Sequence, residues 1–380
     1  MTHASPHHTE AHQAFRESVR RFVADEITPF AAEWDEAEEF PRALYARAAE
    51  IGLLGLGFPE EYGGIASDRH FRIIASQELA RAGSGGVSAG LMSHSIGAPP
   101  IAALGSDAMK RRVLPDILTG RKISALAITE PGGGSDVAQL RTTARRDGDD
   151  YVVNGEKTYI TSGMRADYYT VAVRTGGPGA RGVSLLLIER DRAGFTRTKL
   201  AKTGWWASDT ATLWFDDCRV PADNLIGSEN DGFRGVMLNF NDERMGLAAS
   251  SLAFAKVAYE DALDWARLRN TFGAPLIERQ VIRHKLVDMA QRIAAGEAYL
   301  ESIAWRVDQG EAPIADLCML KNHATQTLAH CASEAVQILG GAGYMRGSRV
   351  ERIAREVKVN AIGGGAEEIM KDLASRHLGW

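Results

Sequence analysis

The sequence predicts an α+β protein in three successive parts: a helical N-terminal region, a central β domain and a C-terminal bundle of long helices. Three observations predict it. Residues 11 to about 120 place apolar side chains at helical spacing, as in Phe15, Val19, Phe22 and Val23. From about Lys122, short β-branched and aromatic runs are divided by Gly, Asp and Asn. From Gly232 the helical period returns in long segments joined by short Gly-containing links. The expected boundaries are 1–121, 122–229 and 230–380. A length of 380 residues has room for about two or three domains.

In chain order, Pro41 is expected to open the helix PRALYARAAEIGLLGLG, where its missing N–H is harmless. Glu60 to Gly64 closes that segment with turn chemistry, and MKRRVLPDILTG carries a further helix. The β domain, a small barrel or sandwich, is expected to end near Pro221 or Ile226, with Asn154-Gly155 as a hairpin turn. The helical segments 232–268, 275–308, 312–340 and one from near Ala366, with a short helix over Arg352 to Val359, suggest a four-helix bundle.

Apolar content of 45% and charge of 24% are those of an ordinary globular protein. A net charge of -5 and the lack of a long basic run argue against a nucleic-acid partner. No apolar stretch reaches the roughly 18 residues a membrane helix needs. The N-terminal MTHASPHHTEAHQ has the pattern of neither a secretory signal nor a transit peptide. The expected location is the cytoplasm, or the mitochondrial matrix for a processed eukaryotic protein. Cys218, Cys318 and Cys331 are widely spaced, with no C-x-x-C pair, which excludes a disulfide framework and a thiolate zinc site; no metal is expected.

Four segments carry candidate chemistry. In GFRGVMLNFNDERMG, Phe233, Val236, Met237 and Phe240 form one buried helical face, interrupted by Asn241, Asp242, Glu243 and Arg244. A carboxylate inside a packed helix has a raised pKa, as a general base at carbon requires. The competing reading puts Glu243 and Arg244 on a wet face. Thr129 to Asp136, TEPGGGSD, lets backbone lie against a flat ring or a phosphate. No Lys follows the last Gly and no helix comes next, so it is neither a P-loop nor a dinucleotide fingerprint; a plain hairpin loop is the alternative. Tyr159 and Thr161, two apart on a strand, share a side and could stack on and bond to a planar cofactor. The last is the pair of glycine clusters QILGGAGY (337–344) and GGGAEE (363–368). The second precedes a helix whose free N–H groups could hold an anion or a developing oxyanion, with helix capping as the alternative.

ITEPGGGSD, NGEKTYITSG, ARLRNTFG, QILGGAGYM and GGGAEEIMKDLASR occur in this order across nearly the whole chain. Together they resemble the acyl-CoA dehydrogenase family, as does the N-terminal AAEWDEAEEFPRALYARAAEIGLLGLGFPEEYGG. The resemblance implies an N-terminal all-α domain, a central β domain (barrel or sandwich) and a C-terminal four-helix bundle, with FAD between the last two. It implies FAD contacts from Leu126, Ile128, Thr129, Gly134 and Ser135, and from Tyr159, Ile160 and Thr161 beside the ring. Arg269, Phe272, Gln280, Gln337, Gly340 and Gly341 would reach the FAD of a neighbouring subunit, and Ala366 and Glu368 also belong to the cofactor set. A homotetramer, as a dimer of dimers, follows, with electron-transfer flavoprotein as acceptor.

The implied reaction removes the α proton of an acyl-CoA by a glutamate and sends the β hydride to flavin N5, giving a trans-2-enoyl-CoA. Most members carry that glutamate just before the last helix, where this chain has Gly364. A minority, including long-chain and isovaleryl types, carry it in a Glu-Arg pair on the bundle helix, and this chain has Glu243-Arg244. The catalytic pair implied is Glu243 as base and the Gly364 N–H on the thioester carbonyl. Ser135, Arg244, Gly363 and Gly364 would contact substrate. Tyr159 stands for the commoner Trp, and Ala366 for a Thr that helps hold FAD. Gly363 stands for a Tyr that lines the acyl pocket, which suggests a branched, long or bulky acyl group. Trp205 and Trp206 are candidates for the acyl or CoA channel, or for an interface. Three other readings differ in chemistry: an acyl-carrier-protein-linked dehydrogenase, a flavin monooxygenase or oxidase of the same superfamily, and a non-catalytic FAD scaffold.

Overall fold

The computed structural model describes residues 7–380, without the side chains of Leu238 and Asn239. The N-terminal helices are α1 (Glu10–Phe22), α2 (Ala31–Ala37), α3 (Ala43–Glu50), α4 (Arg69–Leu79), α5 (Gly85–Leu91), α6 (His94–Gly97), α7 (Pro99–Leu104) and α8 (Asp107–Leu118). Their starts follow local chemistry. Thr9, Asp68 and Ser106 side chains accept from the free N–H groups of α1, α4 and α8. Pro41 does not open α3; it lies two residues ahead, where its carbonyl accepts from Leu44 N at 3.1 Å and starts the turn that Ala43 continues.

The central strands are β1 (Ser124–Ala127), β2 (Thr143–Asp147), β3 (Asp150–Thr161), β4 (Tyr168–Arg174), β5 (Val183–Glu189), β6 (Phe195–Lys199), β7 (Thr210–Pro221) and β8 (Leu225–Ile226). They form one mixed sheet in the order β6-β7-β3-β2-β4-β5-β8, with β1 added parallel to β4. Among the described residues no pairing joins β6 to β8, so the ladder stays open rather than closing into a barrel. Asn154-Gly155 is not a hairpin turn. The β2–β3 turn is at Gly148-Asp149, and Asn154-Gly155 forms a bulge inside β3 opposite β7. Asn154 fixes it by exchanging two hydrogen bonds with Asp217, at 3.0 and 2.8 Å. A Cβ at Gly155 would lie 2.7 Å from Thr142 Cα, so the glycine serves close approach.

The C-terminal part contains α9 (Gly232–Leu268), the short pair β9 (Asn270–Thr271) and β10 (Ala274–Pro275), α10 (Gln280–Asp308), α11 (Ile314–Leu339), α12 (Gly341–Tyr344), α13 (Arg349–Ile362) and α14 (Glu367–Leu378). The segment expected as a short helix is the 14-residue α13. The central element is α11, which packs on α9, α10, α13 and α14. The three parts meet at the buried Glu356 of α13, whose carboxylate accepts from Gly85 N at 2.8 Å and Trp205 N at 3.1 Å. Among the described residues, no helix is long and apolar enough to cross a membrane.

Candidate active site

The helix α9 runs unbroken through Asn241–Arg244, and its polar run divides between two faces. Asp242 turns to α4, where it pairs with Arg72 at 2.8 Å. Glu243 and Arg244 turn to the loop between α13 and α14. Arg244 is 7% exposed and donates to the Gly364 carbonyl at 3.4 Å and to Asn241 at 3.2 Å, with its guanidinium over the Phe240 ring. The wet-face reading therefore fails for Arg244. The residue surface of Glu243 is partly open, but its carboxyl sits among protein atoms. Desolvation pushes it up to about 7, against the downward pull of Arg244 and Lys321.

The facing loop is short of side chains and rich in backbone contacts. Gly364 has φ +64°, a region that disfavours other residues, and a Cβ there would lie 2.6 Å from Leu247 Cδ1 and 3.7 Å from Glu243 Oε1. The structure thus brings Glu243 and Gly364 together. The Gly364 N–H has no acceptor among the described residues. Lys321 of α11 donates to the Ala361 carbonyl at 2.9 Å and the Gly365 carbonyl at 2.7 Å, and Asn322 donates to the Glu367 carbonyl at 2.9 Å. Gly363 and Ala366 lie half-buried on the same loop, and Glu368 is exposed at the start of α14.

A second constellation stands beside the first. Ile128 and Leu126 share one apolar cluster with Phe233, Val236, Met237 and Phe240, the face that α9 presents one turn before Glu243. The loop after β1 is fixed by a buried pair. Lys157 Nζ donates to Glu130 at 2.8 Å and to the Ile128 carbonyl at 3.0 Å, while Glu130 accepts from Arg141 N and Thr142 N. Thr158 N donates to the Thr129 carbonyl at 2.8 Å, which ties this loop to the end of β3. Gly134 and Ser135 are exposed, and a Cβ at Gly132 would meet nothing within 4 Å, so the loop backbone is open to a ligand. Tyr159 is 71% exposed at φ +60°, beside a register shift in β3; Ile160 is buried and Thr161 half-buried. That shift interrupts the alternation that placed Tyr159 and Thr161 on one side. An exposed aromatic ring, a Thr hydroxyl and open glycine backbone form a donor set that fits a flat heteroaromatic group.

The remaining cofactor candidates lie elsewhere. Arg269 follows α9, 26 residues beyond Glu243, which is about 39 Å of helix. Phe272 is 99% exposed at φ +50°, and Gln280, Gln337, Gly340 and Gly341 are exposed near it in sequence or at the end of α11. These exposed residues thus stand apart from the Glu243–Gly364 pair. Trp205 and Trp206 sit at the three-part junction, where the Arg355 guanidinium lies 3.7 Å from the Trp206 ring. His284 is exposed and His323 bonds the Arg292 carbonyl at 3.3 Å. The three cysteines are free and buried, and no cluster of metal-ligating side chains occurs among the described residues.

Sequence reading missed Lys157 and Lys321. Lys321 was detectable: it lies on the face carrying Leu317, Ala324 and Leu328, at helical spacing among buried residues. Lys157 had no such signal, because alternation around it is broken by bulges on both sides.

Comparison with known proteins gives one answer over the whole chain. Three family descriptions match: "Acyl-CoA dehydrogenase, N-terminal domain" over residues 9–121, "middle domain" over 125–218 and "C-terminal domain" over 230–379. An acyl-CoA dehydrogenase of Bacillus subtilis is 38% identical, covering 98% of this chain and 99% of its own. The mitochondrial long-chain specific acyl-CoA dehydrogenase of Sus scrofa is 36% identical, covering 97% and 86%. The crystal structure of an acyl-CoA dehydrogenase from Geobacillus kaustophilus superposes with a TM-score of 0.95 at 36% identity, covering 99% and 100%. A structure described as the electron transferring flavoprotein of Acidaminococcus fermentans superposes at 0.94 with 33% identity, covering 98% and 99%.

Proposed function

Because this chain belongs to the acyl-CoA dehydrogenase family, we propose that it performs a flavin-dependent α,β-dehydrogenation in which Glu243 removes the α proton. Membership makes it an oxidoreductase that dehydrogenates acyl-CoA. The observation that carries the finer reading is the pairing of Glu243, raised to about 7, with Gly364, whose Cβ position lies 3.7 Å from the carboxylate. A base of that strength is ionised over a useful fraction at neutral pH and still takes a proton from carbon. The Gly364 N–H is the donor for the thioester carbonyl, and its polarisation acidifies the α carbon. A glycine at 364 keeps this N–H while leaving the space that the Glu243 carboxylate faces. The buried Arg244, committed to the Gly364 carbonyl, holds the loop more directly than it could hold CoA. The product is a trans-2-enoyl-CoA.

Leu126, Thr129, Gly134, Ser135, Tyr159 and Thr161 would hold FAD, which supplies the acceptor for the hydride leaving the β carbon. Arg269, Phe272, Gln280, Gln337, Gly340 and Gly341 would meet the FAD of a second copy. The distance along α9 supports this, and with it a homo-oligomer; its arrangement as a dimer of dimers is what the family resemblance implies. Electron-transfer flavoprotein is the acceptor we assign, supported by the flavoprotein-linked structural neighbour. The bacterial and mitochondrial relatives favour the cytoplasm or the matrix. The missing side chain at Gly363 favours a branched, long or bulky acyl group.

Anaerobic bleaching of the flavin by a panel of acyl-CoAs, in wild type and Glu243→Gln, tests this. Bleaching by at least one acyl-CoA is expected, lost in Glu243→Gln by about four orders of magnitude or more, in proportion to a removed essential base. Equal bleaching in the variant would remove Glu243 from the mechanism. Straight butyryl-CoA outrunning branched and long substrates would overturn the pocket assignment.

A further inference from the structure

We propose that Lys321 is a positioning residue of this site: its ammonium fixes the Gly363–Gly365 loop from behind and adds a second positive charge, beside that of Arg244, to the surroundings of Glu243. The second half of this rests on Glu243 being the base; the first does not.

Lys321 is fully buried, on the α11 face that also buries Leu317, Leu320 and Ala324. Its ammonium is satisfied by two backbone carbonyls that bracket Gly364, those of Ala361 and Gly365. Three consecutive glycines have the most conformational freedom to lose, so this loop needs external bonds to hold one shape. Its N-terminal edge is closed by Gly363 N donating to the Val359 carbonyl at 2.8 Å, and the other side-chain ties are longer or further off. The Arg244 bond to the Gly364 carbonyl is 3.4 Å long, and Asn322 holds Glu367, beyond the turn. The short side-chain bonds, 2.9 and 2.7 Å, are those of Lys321. They fix the carbonyls on both flanks of Gly364, and with them the aim of its unpaired N–H.

The charge matters as much as the bonds. The titratable and charged groups that face Lys321 are Glu243 and Arg244 from α9, Cys318 from its own helix and Glu367 from α14. Two cations thus stand against two carboxylates. Both cations pull Glu243 down, Arg244 more than Lys321, and both are bonded only to neutral groups, so loss of Lys321 leaves Glu243 with one cation in place of two. Desolvation brings Lys321 itself down to about 8, so it is charged at neutral pH.

The experiment combines two readouts on holoenzyme carrying Lys321→Met or Lys321→Arg. The first is amide hydrogen exchange of residues 362–366. Exchange in Lys321→Met should speed up by about tenfold or more, the loss of at least one charge-assisted bond. The second is the pH profile of kcat/KM with the best acyl-CoA. Its acid limb should move up by about one pH unit in Lys321→Met, with kcat falling about 10²-fold and KM changing less. Lys321→Arg should restore the acid limb without restoring full kcat. If Lys321→Met does not fold, Lys321→Gln, a neutral donor, should shift the limb while keeping most of the loop protection. A folded Lys321→Met with wild-type exchange and a wild-type limb would overturn the proposal. If Glu243→Gln keeps full activity, the base reading fails by itself, and the exchange data still decide the clamp.

Discussion

Two buried lysines hold the two sides of this site, and they are not alike. Lys157 and Lys321 are both fully enclosed, and desolvation brings each down to about 8. Lys157 has a carboxylate of its own, Glu130, at 2.8 Å, and that carboxylate is bonded in turn by two backbone N–H groups. The ring-side loop thus rests on a closed pair whose charges cancel in place. Lys321 touches only carbonyls, and its nearest carboxylates, Glu367 and Glu243, act on it from a distance. The difference teaches that a scaffold completes its ion pairs, while an acid–base site leaves a cation partly uncompensated so that a titrating group can use it.

The comparison predicts opposite outcomes for stability and activity. The largest stability effect is at the closed pair. Lys157→Met leaves Glu130 buried and unpaired and should cost about 3–5 kcal/mol in urea unfolding, much of it recovered when Glu130→Met is added. Equal loss in the single and double variants would break the contrast. Next is Gly364→Ala, which forces a Cβ into a left-handed backbone and against Leu247. It should cost about 1–3 kcal/mol and reduce kcat, since the N–H must turn to relieve the clash.

An effect of similar size, but confined to high pH, reads Glu243 by its pH dependence. Its folded pKa, about 7, is raised above the ordinary 4.5. A raised group contributes stability that is fully present below the unfolded pKa and is lost as pH climbs through the folded value. Glu243→Gln should therefore be more stable than wild type by about 1–3 kcal/mol at pH 8, with no gain below about pH 4.5. A pH-independent difference would mean that Glu243 ionises as freely as in water.

Much of this was legible in the sequence because periodicity records burial. The apolar face Phe233, Val236, Met237 and Phe240 packs as its spacing implies, and the three parts follow the change of period. The family resemblance already paired Glu243 with Gly364, 121 positions apart, and the fold sets them side by side. Local dipeptide rules did less well. Asn154-Gly155 carries a strong turn signal, but tertiary pairing with Asp217 uses it as a bulge, and the turn goes to Gly148-Asp149. Buried charge was the least legible. Nothing in the run around Lys157 marks it as enclosed, since its partner Glu130 is 27 positions away.

Glu356 has a consequence for how the molecule comes apart. Its carboxylate accepts from the first turn of α5 and from the loop at Trp205, while its own backbone belongs to α13. Peeling away either the N-terminal helices or the sheet strips this carboxylate of a donor inside a dry interior, a penalty of about 1–3 kcal/mol for each orphaned contact. Losing one donor leaves the carboxylate dependent on the other. Architecture divides the chain into three, but this shared carboxylate couples the three parts, and each should melt at a lower temperature alone than within the whole chain.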